Sequence, residues 1–241
     1  MARRRRDRFD YRYFHHTPSP PKEVSDGVKV RSQRGKIGRT WWGRRWIAAL
    51  ECLLDPGRLR RGRTYARRGQ VIDLRQTAQG IEARVQGTRR QPYKVRIPLA
   101  PIAEADWQRV IDQLAARAAF GACLLAGEMP DDIDTAFAAA GVSLFPVDRA
   151  ELVTDCSCPD WANPCKHVAA VHYTLGERFD EDPFLLFRLR GRDQDSLLDA
   201  LRRRRKADEG SVEAGYEEEE TEAQVPLEAA IERFWDVGAA L

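Results

Sequence analysis

The sequence predicts an α+β fold, an antiparallel β-meander packed with helices, with a small ββα-like unit formed around a cysteine cluster. Three observations predict it. Apolar and polar residues alternate with period two between Thr64 and Leu99. Apolar residues recur at helical spacing between Ala103 and Leu125. Three cysteines and a histidine fall between positions 156 and 167, with turn residues separating two pairs.

The elements follow in order. Residues 1–36 read as a disordered basic arm: Arg3 to Arg6, then aromatics, then Thr17-Pro18-Ser19-Pro20-Pro21, with too few periodic apolar positions to bury a face. The spacing predicts a helix over 37–54, with Thr40 as N-cap, Trp42 and Trp46 on one face, and a stop at Asp55-Pro56-Gly57. Three strands are expected within 64–74, 80–86 and 92–99, with Arg84, Lys94 and Arg96 on the polar face. One helix is predicted over 103–125 and a shorter one over 131–140, ended by Gly141. After the cysteine cluster, helices are expected over 164–175, 183–189 and 194–205. Residues 206–226, containing Glu217 to Glu220, read as an acidic disordered linker, and 227–241 as a terminal amphipathic helix. The implied units are 1–36, 37–145, 146–205, 206–226 and 227–241.

Composition narrows the function. The chain has 241 residues, 43% apolar and 32% charged, enough for a sizeable core. No run of about 18 apolar residues occurs, so no membrane partner is expected. Arg3 to Arg6 are not followed by an apolar segment, so a cytoplasmic location is expected, with nucleoid association open. The net charge of +3 hides an asymmetry: residues 1–68 carry 20 Lys or Arg and 6 Asp or Glu. A basic front half suggests a polyanionic partner.

The segment Cys156-Ser157-Cys158-Pro159-Asp160-Trp161-Ala162-Asn163-Pro164-Cys165-Lys166-His167 has the pattern C-x-C-x6-C-x-H. Three thiolates and an imidazole suit tetrahedral Zn2+, one per chain, and the filled ligand set fits a structural site. On a strand, Cys156 and Cys158 share a face. Asn163 is expected to cap a helix beginning at Pro164, with Cys165 in its irregular first turn and His167 just inside. Trp161 is expected to cover the metal. His172 reads as a packing residue, and Cys52 and Cys123 as core.

These residues resemble the SWIM zinc finger, whose pattern is C-x-C, a variable spacer, then C-x-H; its ligands correspond to Cys156, Cys158, Cys165 and His167. Gly38-Arg39-Thr40-Trp41-Trp42-Gly43, the stretch 64–97 and Asp182-Pro183-Phe184-Leu185-Leu186 are similar to bacterial proteins of this family. The resemblance covers most of 37–190. It implies zinc-dependent binding to DNA or protein, and association with a Swi/Snf-type helicase.

Two basic clusters are candidate nucleic-acid contacts. One is Arg3, Arg4, Arg5, Arg6 and Arg8. The other is Arg58, Arg60, Arg61, Arg63, Arg67 and Arg68, read as lying in a loop, with Tyr65 interleaved. Arg202 to Lys206 reads as charge at a helix C-terminus. No catalytic residues and no small-molecule substrate are expected, and no phosphate-binding glycine loop is present. The alternatives are a metal-dependent nuclease using Asp73, Glu82 and Glu104, or a purely structural protein–protein adaptor.

Overall fold

The computed structural model describes residues 19–52, 55–147, 151, 153–161 and 163–213, without the side chains of 208–213. The expected arm residues 1–18, the acidic linker from 214 and the terminal helix at 227–241 lie outside the described residues. Among the described residues no helix is long and apolar enough to cross a membrane.

Helix α1 (Trp41–Glu51) begins where the sequence predicts: the Thr40 hydroxyl accepts from the Gly43 amide at 3.2 Å. Trp46, Ile47 and Leu50 face the core. Asp55-Pro56-Gly57 starts a second helix instead of only stopping the first. In α2 (Pro56–Arg67) the Asp55 carboxylate accepts from the Arg58 amide at 3.0 Å and proline occupies the first turn. Aspartate and proline serve turns and helix starts alike, so local chemistry did not separate the two readings. The arginine cluster therefore rides on a helix, not in a loop.

Four strands form one antiparallel sheet in sequence order: β1 (Val71–Thr77), β2 (Gly80–Val85), β3 (Tyr93–Pro98) and β4 (Asp155–Cys156). The register pairs Ile81 with Ile97 and Ala83 with Val95, which puts these side chains on the buried face. The outer face carries the expected Arg84, Lys94 and Arg96. Gly80 has φ 128°, and a Cβ there would meet the Ile97 carbonyl oxygen at 2.3 Å.

The long helix expected over 103–125 is two helices, α3 (Glu104–Ala115) and α4 (Ala118–Leu125), separated by an extended Arg117. The break shifts the phase of burial: Phe120 and Leu124 enter the core, whereas Leu125 is 53% exposed. Arg117 pairs with Asp132 at 3.0 Å and lies over the Phe120 ring. Next come α5 (Ile133–Ala139), α6 (Lys166–Glu181), α7 (Phe184–Leu189) and α8 (Gln194–Glu213). Helix α8 runs through Lys206 into the segment expected to be linker. Arg202 to Lys206 thus lie inside a helix, where Arg204 pairs with Asp112 at 2.6 Å.

Residues 19–36, expected within the arm, are folded onto the core. Val30 is buried, Val28 bridges to Val71, and the Glu177 carboxylate accepts from the Arg31 and Ser32 amides at 2.6 and 2.9 Å. Helix α6 is the centre of the molecule, packing on α1, α2 and the inner sheet face. One hydrophobic core runs from Val30 to Leu201, so segments 37–145 and 146–205 share it. His172 on α6 stacks on Trp46, ring centroids 5.0 Å apart, as a packing residue. Trp41 packs edge-on to Trp42 and Phe145. Cys52, expected in the core, is exposed at the end of α1.

Candidate metal centre and its basic flank

The four candidate ligands come from three local structures. Cys156 ends β4 opposite Val95. The chain then turns: the Ser157 amide donates to the Lys94 carbonyl at 3.0 Å, and the Lys94 amide donates back to the Ser157 hydroxyl at 2.9 Å. Cys158 follows in the turn. Asn163, expected to cap α6, instead closes the base of the loop. Its Oδ1 accepts from the Thr154 hydroxyl at 2.6 Å, and its Nδ2 donates to the Thr154 carbonyl. The residue preceding α6 is Cys165, with extended backbone (φ −90°, ψ 177°), and His167 is the second residue of the helix. That placement turns the Cys165 thiol and the His167 ring toward one point, as the spacing predicted.

The distances suit one ion. Cys158 Sγ and Cys165 Sγ are 3.5 Å apart, and His167 Nδ1 lies 3.7 Å from Cys165 Sγ and 3.9 Å from Cys156 Sγ. All four donor atoms lie within 4.8 Å of one another. Ideal tetrahedral zinc with Zn–S near 2.3 Å and Zn–N near 2.0 Å puts ligand atoms about 3.5–3.8 Å apart. Cys165 and His167 are 1% and 3% exposed, while Cys156 and Cys158 are half-buried. The donor set therefore fits a zinc-type metal site.

Electrostatics within the cluster favour ligation through Cys165. Hydrogen bonding from the Cys156 thiol, then from His167 and the Val168 amide, holds the Cys165 thiol well below the usual range. The same contact with Cys165, with burial, pushes Cys156 up, and burial raises Cys158. Cys156, Cys158 and Cys165 would hold a divalent cation as three thiolates, which would relieve this crowding. The His167 ring is held by Tyr93, centroids 4.6 Å apart, and edge-on by Tyr65 at 5.4 Å. Nothing in the local spacing of Tyr93, or of Tyr65 among the α2 arginines, places either ring beside the histidine. Gly87 closes the pocket: a Cβ there would sit 2.5 Å from the Tyr93 ring and 3.3 Å from His167 Nε2.

Trp161 does not cover the metal. It projects from the loop, 91% exposed, and the metal side of the loop is closed by Tyr65, Tyr93 and His167 instead.

The arginine cluster divides in two. Arg58 pairs with Asp160 of the metal loop at 3.6 Å and lies over the Trp161 ring at 5.5 Å. Arg63 pairs with Glu51 at 2.7 Å, and Arg67 donates to the Ser32 and Gly35 carbonyls. The side chains of Arg60, Arg61 and Arg68 are exposed and make no hydrogen bond or ion pair with the described residues. Arg58, Arg61, Tyr65 and Arg68 recur at helical spacing, so they form a stripe along α2. Lys166 lies over the Tyr65 ring at 5.8 Å and extends the stripe onto α6. The arginines and the metal loop, far apart in sequence, are adjacent in space.

The acidic alternative does not assemble. Asp73 is held by Arg84 at 2.6 Å, and that guanidinium keeps its carboxyl below the usual carboxylate range. Glu82 pairs with Arg96, and Glu104 pairs with Arg192 at the start of α3. Among the described residues, the metal-competent group of three or more donors is the Cys156, Cys158, Cys165 and His167 cluster.

An α+β scaffold with a Cys3His site bridging a strand end and a helix start defines a zinc-finger protein. The SWIM zinc finger family matches residues 142–176, which contain all four ligands. The chain therefore carries a SWIM zinc finger within these residues. It is 46% identical over 218 residues to the uncharacterized protein Rv2102 of Mycobacterium tuberculosis (strain ATCC 25618 / H37Rv), a similarity covering 90% of this chain and 77% of that protein. No solved structure matches it.

Proposed function

We propose that the protein is a one-zinc SWIM module that binds nucleic acid through the α2 stripe and the adjoining metal loop, and that it acts by binding, without catalysing a reaction. The observation that carries this reading is the placement of Arg60, Arg61 and Arg68, exposed and unpaired among the described residues, on the helix that touches the metal loop through Arg58. Cations gathered on one helix face without partners favour a polyanion. Zinc has a positioning role here: it holds Asp160 and Trp161 against α2 by fixing both ends of their loop. A cytoplasmic, nucleoid-associated location and association with a Swi/Snf-type helicase accord with this reading, because such a motor works along the same polyanion.

The salt dependence of DNA binding tests it. Replacing Arg60, Arg61 and Arg68 together by Gln should flatten the slope of log affinity against log salt by roughly 2 to 3 units, at about 0.7–0.9 per phosphate contact. Zinc content should not change, since none of the three is seen to touch the loop. An unaltered slope would remove the stripe from the interface.

A further inference from the structure

Trp161 is a large apolar ring placed where burial cannot explain it. It is 91% exposed, ahead of Val147, Val153 and Leu125 among the exposed large apolar side chains. The ring is nevertheless held in place. The Cys158 and Cys165 thiols bring the two ends of its loop within 3.5 Å of each other at the metal-competent cluster, and Asn163 clamps the loop base to Thr154. The Arg58 guanidinium sits over the ring at 5.5 Å, itself steadied by Asp160 at 3.6 Å. Such a contact stiffens an indole and leaves the rest of the ring to solvent.

We infer that Trp161 is a stacking platform for an unpaired base, so that the surface prefers single-stranded nucleic acid over duplex. The inference rests on the proposed nucleic-acid reading and narrows its substrate class. An indole face can be used only by a base whose own face is free, and a duplex buries those faces in its stack. The surroundings match the same ligand. Arg61 lies about one turn along α2 from Arg58, and the stripe reaches Arg68, about 15 Å from Arg58 by helix rise. That length suits the backbone of a few nucleotides leading away from one stacked base. A protein partner fits less well, because a tryptophan anchor normally sits within an apolar patch. Here the ring is flanked by the charged Arg58 and Asp160.

The test compares Trp161→Ala, Trp161→Phe and the Arg60/Arg61/Arg68→Gln protein, all zinc-loaded full chains. The probes are a labelled oligothymidylate, its uridylate counterpart and a blunt DNA duplex, at one salt concentration. Trp161→Ala should lose roughly 5- to 150-fold in affinity for the single strands, the range of one stacked base. It should change duplex affinity less than about twofold, since duplex binding is carried by phosphate contacts. Trp161→Phe should recover most of the loss. The two single-stranded arms show whether DNA or RNA is preferred, and a loss on either supports stacking. Unchanged single-strand affinity in Trp161→Ala overturns the inference, as does an equal loss on single strand and duplex. If the arginine variant loses affinity for all probes while Trp161→Ala loses none, stacking fails and the basic surface stands. If the arginine variant also loses nothing, the nucleic-acid reading fails with it. The ring's exposure makes misfolding an unsuitable explanation of any loss, and zinc content verifies this for each variant.

Discussion

Gly62 joins the basic helix to the metal-binding helix, and Gly62→Ala perturbs that joint with a single carbon. A Cβ at position 62 would lie 2.4 Å from the Ala169 Cβ, and 3.1 Å from both the Ala169 carbonyl carbon and the Ala170 nitrogen. Apolar carbons rest at about 3.5–4.0 Å, so α2 and α6 would have to part by about 1 Å or more. Alanine gains about 0.8–1.0 kcal/mol over glycine in helix propensity. Overpacking of this kind costs about 1–3 kcal/mol. The steric term wins, and Gly62→Ala should destabilise the protein by about 1 kcal/mol or somewhat more. Ala169→Gly removes the opposing methyl and should cost about 1 kcal/mol alone, mostly through propensity. Combined, the two changes should be less harmful than their sum, with a favourable coupling of about 1 kcal/mol. The remaining contacts with the α6 backbone keep the rescue partial. Urea unfolding of the zinc-loaded wild type, both single variants and the double variant measures the cycle. Stabilisation by Gly62→Ala, or strict additivity, would refute the close packing of α2 on α6.

Two further predictions concern buried polar groups. Arg190 is buried and donates to the carbonyls of Leu144, Ala100 and Ser143 at 2.9, 3.0 and 3.2 Å, and to Glu151 at 3.2 Å; Arg190→Met should lower unfolding stability by about 3 kcal/mol, because it takes the donor from three carbonyl acceptors, and a loss below about 1 kcal/mol would contradict that role. Burial pushes the His172 imidazole down to about 3 from 6.5. The unfolded chain then binds a proton that the folded chain refuses, so stability falls as pH drops from 6.5 toward 3. His172→Phe keeps a ring on Trp46 and removes that proton, so its stability should fall less steeply between pH 6.5 and 5. Equal slopes in wild type and variant would refute the assignment. Release of the metal at low pH affects both proteins and cancels in the comparison.

The metal site was legible because its signal is local. Donor identity, the i and i+2 cysteines and the turn residues between the pairs all sit within twelve positions. Thr40 was legible for the same reason, since its capping bond spans three residues. The strands were legible because one sheet face meets solvent and forces alternation. Legibility failed where one local signal serves two ends. Asp55-Pro56-Gly57 both stops α1 and starts α2. It failed again at Arg117, where tertiary contacts with Asp132 and α8 split a stretch whose propensity is helical throughout. Residues 19–36 look unstructured because their partners, Glu177 and Arg67, are remote in sequence. The contact between α2 and the metal loop is of that kind too. Trp161 defied the rule that an aromatic ring beside a metal shields it, because Tyr65 and Tyr93 already fill that place.

Cys156, Cys158, Cys165 and His167 form a zinc-type site, proposed to hold one zinc ion. X-ray absorption at the zinc edge, with elemental analysis of protein purified without chelator, measures this directly. The expected first shell is three sulfurs near 2.3 Å and one nitrogen near 2.0 Å, at one zinc per chain. Cys165→Ser should lose the metal. A shell of oxygen and nitrogen alone, or full zinc occupancy in Cys165→Ser, would contradict the account.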